Sequence, residues 1–247
     1  MARWVEGLLR ERIDWTDRLH SLRFEADLPE FTAGQFIQLA LDLDGQRIAR
    51  PYSLVNPPGT TQLEVYLGQV PNGPLSPHLA KLEPGDRLWV SAQAHGFFTL
   101  GDIPASRDLW MLATGTGIGP FLSMLATEQP WQRYQNIRLV QGARYAQDLA
   151  YPDLIRGMQD RHPHQFRYLP TTSGNPDPAR PSGRIPALLA DGRLEQLAEL
   201  DINPTDSHVM MCGHAGMIEE VSNLLIARGM KRHRRIDPGQ FSSEKYH

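Results

Sequence analysis

Along the first hundred residues, apolar and polar positions alternate in short runs, each broken by turn residues. The alternation predicts strands over 4–12, 19–26, 35–42, 52–55, 63–69 and 87–93. Gly34, Gly45, Pro57-Pro58-Gly59, Asn72-Gly73-Pro74 and Pro84-Gly85-Asp86 punctuate them. With one helical insert around 75–81, this spacing predicts a small antiparallel β-barrel. Past Gly101 the pattern changes. Continuous apolar runs at 109–113, 137–140, 166–169 and 208–212 read as strands buried on both faces. Helical stretches at 120–128, 146–159, 185–197 and 215–228 alternate with them, which predicts a parallel, doubly wound α/β sheet. The chain therefore reads as two domains, a β-barrel over 1–101 and an α/β domain over 102–247. The Pro-, Gly- and Asn-rich stretch 174–182 reads as a loop at a strand end.

Composition narrows the class without naming it. The 247 residues are 40% hydrophobic and 21% charged, ordinary values for a globular chain. A net charge of −3 gives no global basic field for nucleic acid. Cys212 is the single cysteine, so no intrachain disulfide forms, and the N-terminus lacks the apolar core of a secretory signal. No apolar run reaches the length of a membrane span. The expectation is a cytoplasmic monomer. His162-Pro163-His164 has no further ligands around it, so no metal site is expected.

Four stretches carry chemistry. Arg50-Pro51-Tyr52-Ser53 puts Arg50 and Tyr52 on one face of a strand, a guanidinium fork beside a flat ring. Pro51 places this segment at a strand start or an edge. Thr114-Gly115-Thr116-Gly117-Ile118-Gly119-Pro120 follows a buried strand and precedes a helix, where free amides and the helix dipole favour a pyrophosphate. Its third glycine comes one residue too early for G-x-G-x-x-G. Gly142-Ala143-Arg144 ends the next strand, and an arginine there favours a ribose 2′-phosphate over a free 2′-hydroxyl. Cys212-Gly213 ends the last apolar strand, beside a helix start that would lower the thiol pKa. Lys231-Arg232-His233-Arg234-Arg235 is a dense basic cluster.

On these motifs the chain resembles the bacterial-type ferredoxin/flavodoxin–NADP reductases over nearly its whole length. The resemblance implies FAD and NADP(H) as cofactors and an acidic ferredoxin or flavodoxin as partner, with no membrane and no nucleic acid. It implies that Arg50 neutralises the FAD pyrophosphate, that Tyr52 stacks on the flavin and that Ser53 bonds near its N5. Pro51, Tyr66 and the Gly73-Pro74-Leu75-Ser76 stretch would also hold FAD, Ser76 at a helix N-terminus. Thr116 would lie between the flavin and the nicotinamide, and Tyr246 and His247 would cover the flavin and adenine. NADP would be held by Gly115, Ala143, Arg144, Thr172, Ser173, Arg184, Cys212 and Gly213. Ser53 and Cys212 are the candidate catalytic residues. The chain departs from the family's pattern in two places. Gly174 stands where relatives often carry a basic residue, and His247 where they often carry an aromatic one. Two other readings stay open here: a related reductase of free flavin or of an oxygenase, and a non-catalytic nucleotide-binding subunit. Intact Arg50, Ser53, Thr116 and Cys212 argue against the second.

Overall fold

The computed structural model describes residues 3–174 and 181–245. By packing the chain divides into two units. One is Met1–Thr99 with Gly119–Thr127, and the other is Leu100–Ile118 with Glu128–His247. A single division at 101 does not express this, because Gly119–Thr127 leaves the units of its neighbours on both sides.

The first unit is one antiparallel sheet built from β1 (Trp4–Asp14), β2 (Leu19–Ala26), β3 (Phe36–Leu43), β4 (Gln46–Ser53), β5 (Gln62–Gly68) and β6 (Arg87–Ser91). Their spatial order is β4-β3-β6-β1-β2-β5. Just past β4, Leu54 bridges Val65, and the Val55 N–H donates to Glu64 O at 2.9 Å, so the two edges meet and the curled sheet closes. Alternation sets the inside: Leu22 and Phe24 on β2, Ile37 and Leu39 on β3 and Val90 on β6 are fully buried, with Leu54, Leu75 and Leu79 completing the core. The insert is the one-turn helix α1 (Ser76–Leu79). The helix α2 (Gly119–Leu125) belongs to this unit and is buried along its length. Phe121 lies 5.6 Å from the Phe98 ring, and Ser123 donates to Asn56 O at 2.7 Å. Gly34, at φ +99°, is required here. A Cβ on it would come within 2.1 Å of Phe98 O and 2.5 Å of Met124 Cε.

The second unit is a parallel sheet of β7 (Asp108–Thr114), β8 (Asn136–Ala143), β9 (Phe166–Thr172), β10 (Ser207–Gly213) and β11 (Phe241–Lys245). The order is β11-β10-β7-β8-β9. Trp110, Leu112, Val140, Val209 and Met211 pack on one face against α5 (Ile185–Ala190), α6 (Arg193–Ala198) and α7 (Ala215–Ala227). The intervening Leu109, Met111, Leu139 and Met210 are equally buried, as continuous apolar runs require. The remaining helices are α3 (Gln129–Arg133) and α4 (Pro152–Arg161).

Several expected boundaries move for local reasons. The helix expected over 185–197 breaks at Asp191-Gly192, where Gly192 adopts φ +78°. The one expected over 146–159 begins as a 3-10 turn at Ala146–Asp148. It restarts only after Tyr151, at φ 63°, with Pro152 leading α4. The strand expected over 52–55 starts six residues earlier, so Arg50–Ser53 ends an edge strand rather than opening one. The strand β11 is not expected from the sequence at all. Among the described residues, no helix is long and apolar enough to cross a membrane.

Candidate functional site

On β4 the register sets Arg50 opposite Leu39 and Tyr52 opposite Ile37, so the two share a face. Arg50 is exposed. It donates one N–H to Ala49 O at 2.7 Å and makes no other side-chain hydrogen bond among the described residues. Tyr52 is half-buried against the barrel core, and burial pushes its hydroxyl up to about 12, against the opposing charge of Arg50. It is a neutral ring at any physiological pH. Ser53 closes the strand, and its hydroxyl makes no hydrogen bond among the described residues. Pro51 costs no ladder bond, since β4 pairs with β3 alone along this length.

The second stretch in this unit is more constrained. Tyr66 is 4% exposed on β5. Leu75 is fully buried in the core, so its backbone rather than its side chain is what a ligand can meet. Ser76 accepts the Val70 N–H at 3.0 Å, closing the turn through Gly73 and Pro74. The N-cap of α1, Leu75, offers no side-chain cap to its first amides.

In the second unit the chain runs from β7 outward to β8 and β9, then returns to β10 on the other side of β7. The topological switch point therefore lies between β7 and β10, the place where open α/β sheets bind ligands. Thr114, Gly115 and Thr116 sit at one side of it and Cys212-Gly213 at the other. Two glycines let the sides meet. A Cβ on Gly117 would lie 2.3 Å from Cys212 O, and one on Gly213, at φ +147°, would lie 2.1 Å from Thr114 Oγ1. The same Thr114 oxygen accepts the His214 N–H at 2.9 Å.

Two expectations are corrected here. A 3-10 turn, Gly115–Ile118, separates β7 from α2, and Gly119 and Pro120 are buried. The half-exposed part of the motif is Thr114–Thr116, so the accessible start of the helical run lies at Gly115 rather than at Pro120. Cys212 is 2% exposed, and burial, reinforced by Glu244, pushes its thiol well above the ordinary value rather than below it. It is a neutral packing group, not a thiolate.

Glu244 was missed. Its signal was weak, because Phe241–Lys245 reads Phe-Ser-Ser-Glu-Lys, too polar to suggest a strand. As the outer strand of the sheet, β11 tolerates that polarity, and its register sets Glu244 beside Cys212. Burial pushes the Glu244 carboxyl up to about 7. The folded chain therefore holds this proton longer than the unfolded one, so the group's contribution to stability falls as pH rises from 4.5 toward about 7.

The third group gathers at the ends of β8 and β9, where Ala143 pairs with Thr172. Arg144 is exposed, its guanidinium 5.4 Å from the Tyr145 ring centre. The Ser173 N–H donates to Ala143 O at 3.0 Å. The Thr172–Ser182 bridge brings the turn before Arg184 alongside, and Arg184 pairs with Glu220 at 3.1 Å. Thr172 Oγ1 is buried without a hydrogen-bond partner among the described residues, a hydroxyl whose chemistry suits a nucleotide. Gly174 has a structural cause. A Cβ there would meet Arg144 O at 2.5 Å and the Tyr145 ring at 2.7 Å, so this turn takes no basic side chain. Tyr246 and His247 lie outside the described residues.

The donor sets fit the expected groups. Arg50 with Tyr52 suits a pyrophosphate joined to a ring system, and Arg144, Ser173 and Arg184 suit a phosphomonoester. Comparison with known proteins agrees. Residues 9–97 match the oxidoreductase FAD-binding domain family and residues 111–223 the oxidoreductase NAD-binding domain family. The flavodoxin/ferredoxin–NADP reductase of Escherichia coli is 45% identical over 89% of both chains. That of Buchnera aphidicola is 38% identical over the full length of both. A ferredoxin NADP+ reductase from Neisseria gonorrhoeae, solved with bound FAD and NADP, superposes with a TM-score of 0.92. It is 30% identical and covers 99% of each chain. The chain belongs to the flavodoxin/ferredoxin–NADP reductase family.

Proposed function

We propose that the chain moves electrons between NADPH and a one-electron protein carrier, ferredoxin or flavodoxin, with FAD as its bound cofactor. The chemistry that bound FAD supplies is acceptance of a hydride at flavin N5 and release of electrons one at a time. The protein supplies binding and orientation. Arg50 holds the pyrophosphate charge, Tyr52 offers its half-buried ring as a stacking surface, and the Ser53 hydroxyl orients the reactive edge. The backbone of Pro74–Ser76 and the buried Tyr66 complete this grip.

In the second unit the switch point shapes the nicotinamide end. Gly115, Thr116 and Gly213 keep it open, and Cys212 contributes a neutral, buried wall. Arg144, Ser173 and Arg184 grip the 2′-phosphate, with Ala143 and Thr172 framing the turn. With burial pushing it up to about 7, the Glu244 carboxyl keeps a proton on part of the population at neutral pH, and in that form can donate a hydrogen bond next to Cys212. The observation that carries the reading is Arg50 and Tyr52 on the same face of an open edge strand.

The test is anaerobic titration of the yellow protein with NADPH and, separately, NADH. Bleaching by substoichiometric NADPH and slower bleaching by NADH are expected, and a protein that never takes up FAD would overturn the reading. Glu220 refines this test, because it pairs with Arg184 where the phosphate must bind. Glu220→Gln frees Arg184 and is expected to lower KM for NADPH about two- to fivefold, the scale of an exposed pair, with NADH unchanged. Arg144→Ala works the other way, raising KM for NADPH about tenfold or more through loss of a charge-assisted bond.

Glu244 predicts a pH profile. The bleaching rate is expected to fall with an apparent pKa about 7 as the carboxyl ionises. Glu244→Gln should be flat through that range. An unchanged inflection in the variant would remove Glu244 from this role.

A further inference from the structure

Two arginines stand by the turn beyond β8 and β9, and the chain holds them by different means. Arg184 pairs with Glu220 at 3.1 Å, so an incoming anion has to compete with a carboxylate. Arg144 makes no side-chain hydrogen bond or ion pair among the described residues. Its guanidinium instead stands over the Tyr145 ring, 5.4 Å from the ring centre.

The difference matters for what each arginine can still do. A carboxylate holds a guanidinium by occupying its N–H donors and cancelling its charge. A ring holds it through the π face and leaves both the charge and the donor fork for an anion. An exposed guanidinium that is already held also gives up less rotamer freedom when it binds.

The ring is fixed from two directions. Tyr145 leads into the 3-10 turn Ala146–Asp148. Its N–H donates to Asp148 Oδ2 at 3.2 Å, and its carbonyl accepts the Asp148 N–H at 3.1 Å. From the end of β9, the Gly174 N–H donates to Arg144 O at 2.7 Å and the Ser173 N–H to Ala143 O at 3.0 Å. These bonds draw the Gly174 backbone against the ring, where a Cβ would lie 2.7 Å from Tyr145 Cε1 and 2.9 Å from Cδ1. The ring is half-buried, gripped by the turn yet open to Arg144. Gly174 adds no cation of its own, which puts more of the recognition on Arg144.

We propose that Tyr145 is the positioning residue for Arg144, its ring holding the guanidinium ready for a nucleotide 2′-phosphate and so setting this chain's preference for a 2′-phosphorylated ligand. This rests on the reading of Arg144 as a 2′-phosphate contact. Tyr145 acts through Arg144 and needs no bond of its own to the phosphate.

The test measures binding of adenosine 2′,5′-bisphosphate and of 5′-AMP to the FAD-loaded protein by titration calorimetry. The two probes differ by the phosphomonoester alone. Tyr145→Leu and Tyr145→Met fill the space without a π face. Each is expected to lower the preference for the bisphosphate about two- to fivefold, the scale of an exposed cation–π contact, and to raise KM for NADPH by the same factor with kcat unchanged. Tyr145→Phe keeps the face and should keep the wild-type preference. In an Arg144→Ala background, Tyr145→Leu should change the preference no further. A wild-type preference in both the Leu and Met variants would overturn the proposal, as would an effect that persists without Arg144. Equal weakening of both probes would overturn it too, and would make the ring an adenine contact. A wild-type protein that binds the bisphosphate no tighter than 5′-AMP would overturn the reading of Arg144 itself.

Discussion

Replacing Arg50 with glutamate is expected to give a folded but nearly colourless protein. Arg50 is exposed on an edge strand, and among the described residues its side chain bonds only to its own neighbour, Ala49 O. The barrel core does not depend on it, so far-UV circular dichroism should match wild type. In the proposed reading the bound pyrophosphate does depend on it, because each charge-assisted bond to a phosphate is worth about 1.5–3 kcal/mol. A carboxylate in its place adds repulsion, so FAD should bind weaker by a factor on the order of 10³ or more. The ratio of flavin to protein absorbance after purification, followed by FAD titration of the apoprotein, measures this. Any loss of thermal stability should track the missing ligand and be recovered at high FAD. Full flavin occupancy in Arg50→Glu would show that the pyrophosphate lies elsewhere.

Gly213→Ala is expected to do the opposite: keep the flavin and damage the nucleotide half. The substitution meets two penalties at once. Its backbone sits at φ +147°, and its Cβ would fall 2.1 Å from Thr114 Oγ1 and 2.9 Å from Thr114 N. Strain and overpacking together should cost about 2–5 kcal/mol. The melting midpoint should drop by about 5–15 °C on the scaling for chains of this size. Because Thr114 also holds the His214 N–H, the switch point itself would shift, and reduction by NADPH should slow at least tenfold. Gly192→Ala is the control. Gly192 also has positive φ, +78°, but nothing lies within 4 Å of a Cβ there, so only the backbone strain, about 1 kcal/mol, should appear. Equal losses in both variants would mean that the close approach at Thr114 does not matter.

The parts of this molecule that were legible in the sequence are those where burial dictates the residue type. β7 and β10 announce themselves as unbroken apolar runs because both of their faces are covered. The two outer strands that matter most were harder to read. β4 opens with Gln46-Arg47, polar and exposed, so only its end was recognised and its direction was read from the wrong terminus. β11 pairs on one side and carries two serines, a glutamate and a lysine, which left Glu244 unseen until the register set it beside Cys212. Cys212 shows the limit of local inference. A following helix argues for a depressed thiol pKa, but burial is the larger effect and reverses the sign. Gly174 shows the same limit in another form. As sequence it is a missing cation, while in the fold it is the only residue that lets Tyr145 and the Arg144 carbonyl close the turn.

The allegiance of α2 bears on how such a protein can be taken apart or recombined. The barrel is discontinuous in sequence: Phe121 beside Phe98, Met124 over Gly34 and Ser123 on Asn56 are encoded beyond the first strand of the other unit. A gene cut near residue 100 would produce a barrel with an open apolar seam. A crossover there with a distant relative would pair one parent's barrel with the other parent's plug. An exchange that respects the fold must carry 119–127 with the barrel it completes, which makes this short helix part of the unit of inheritance for the flavin half.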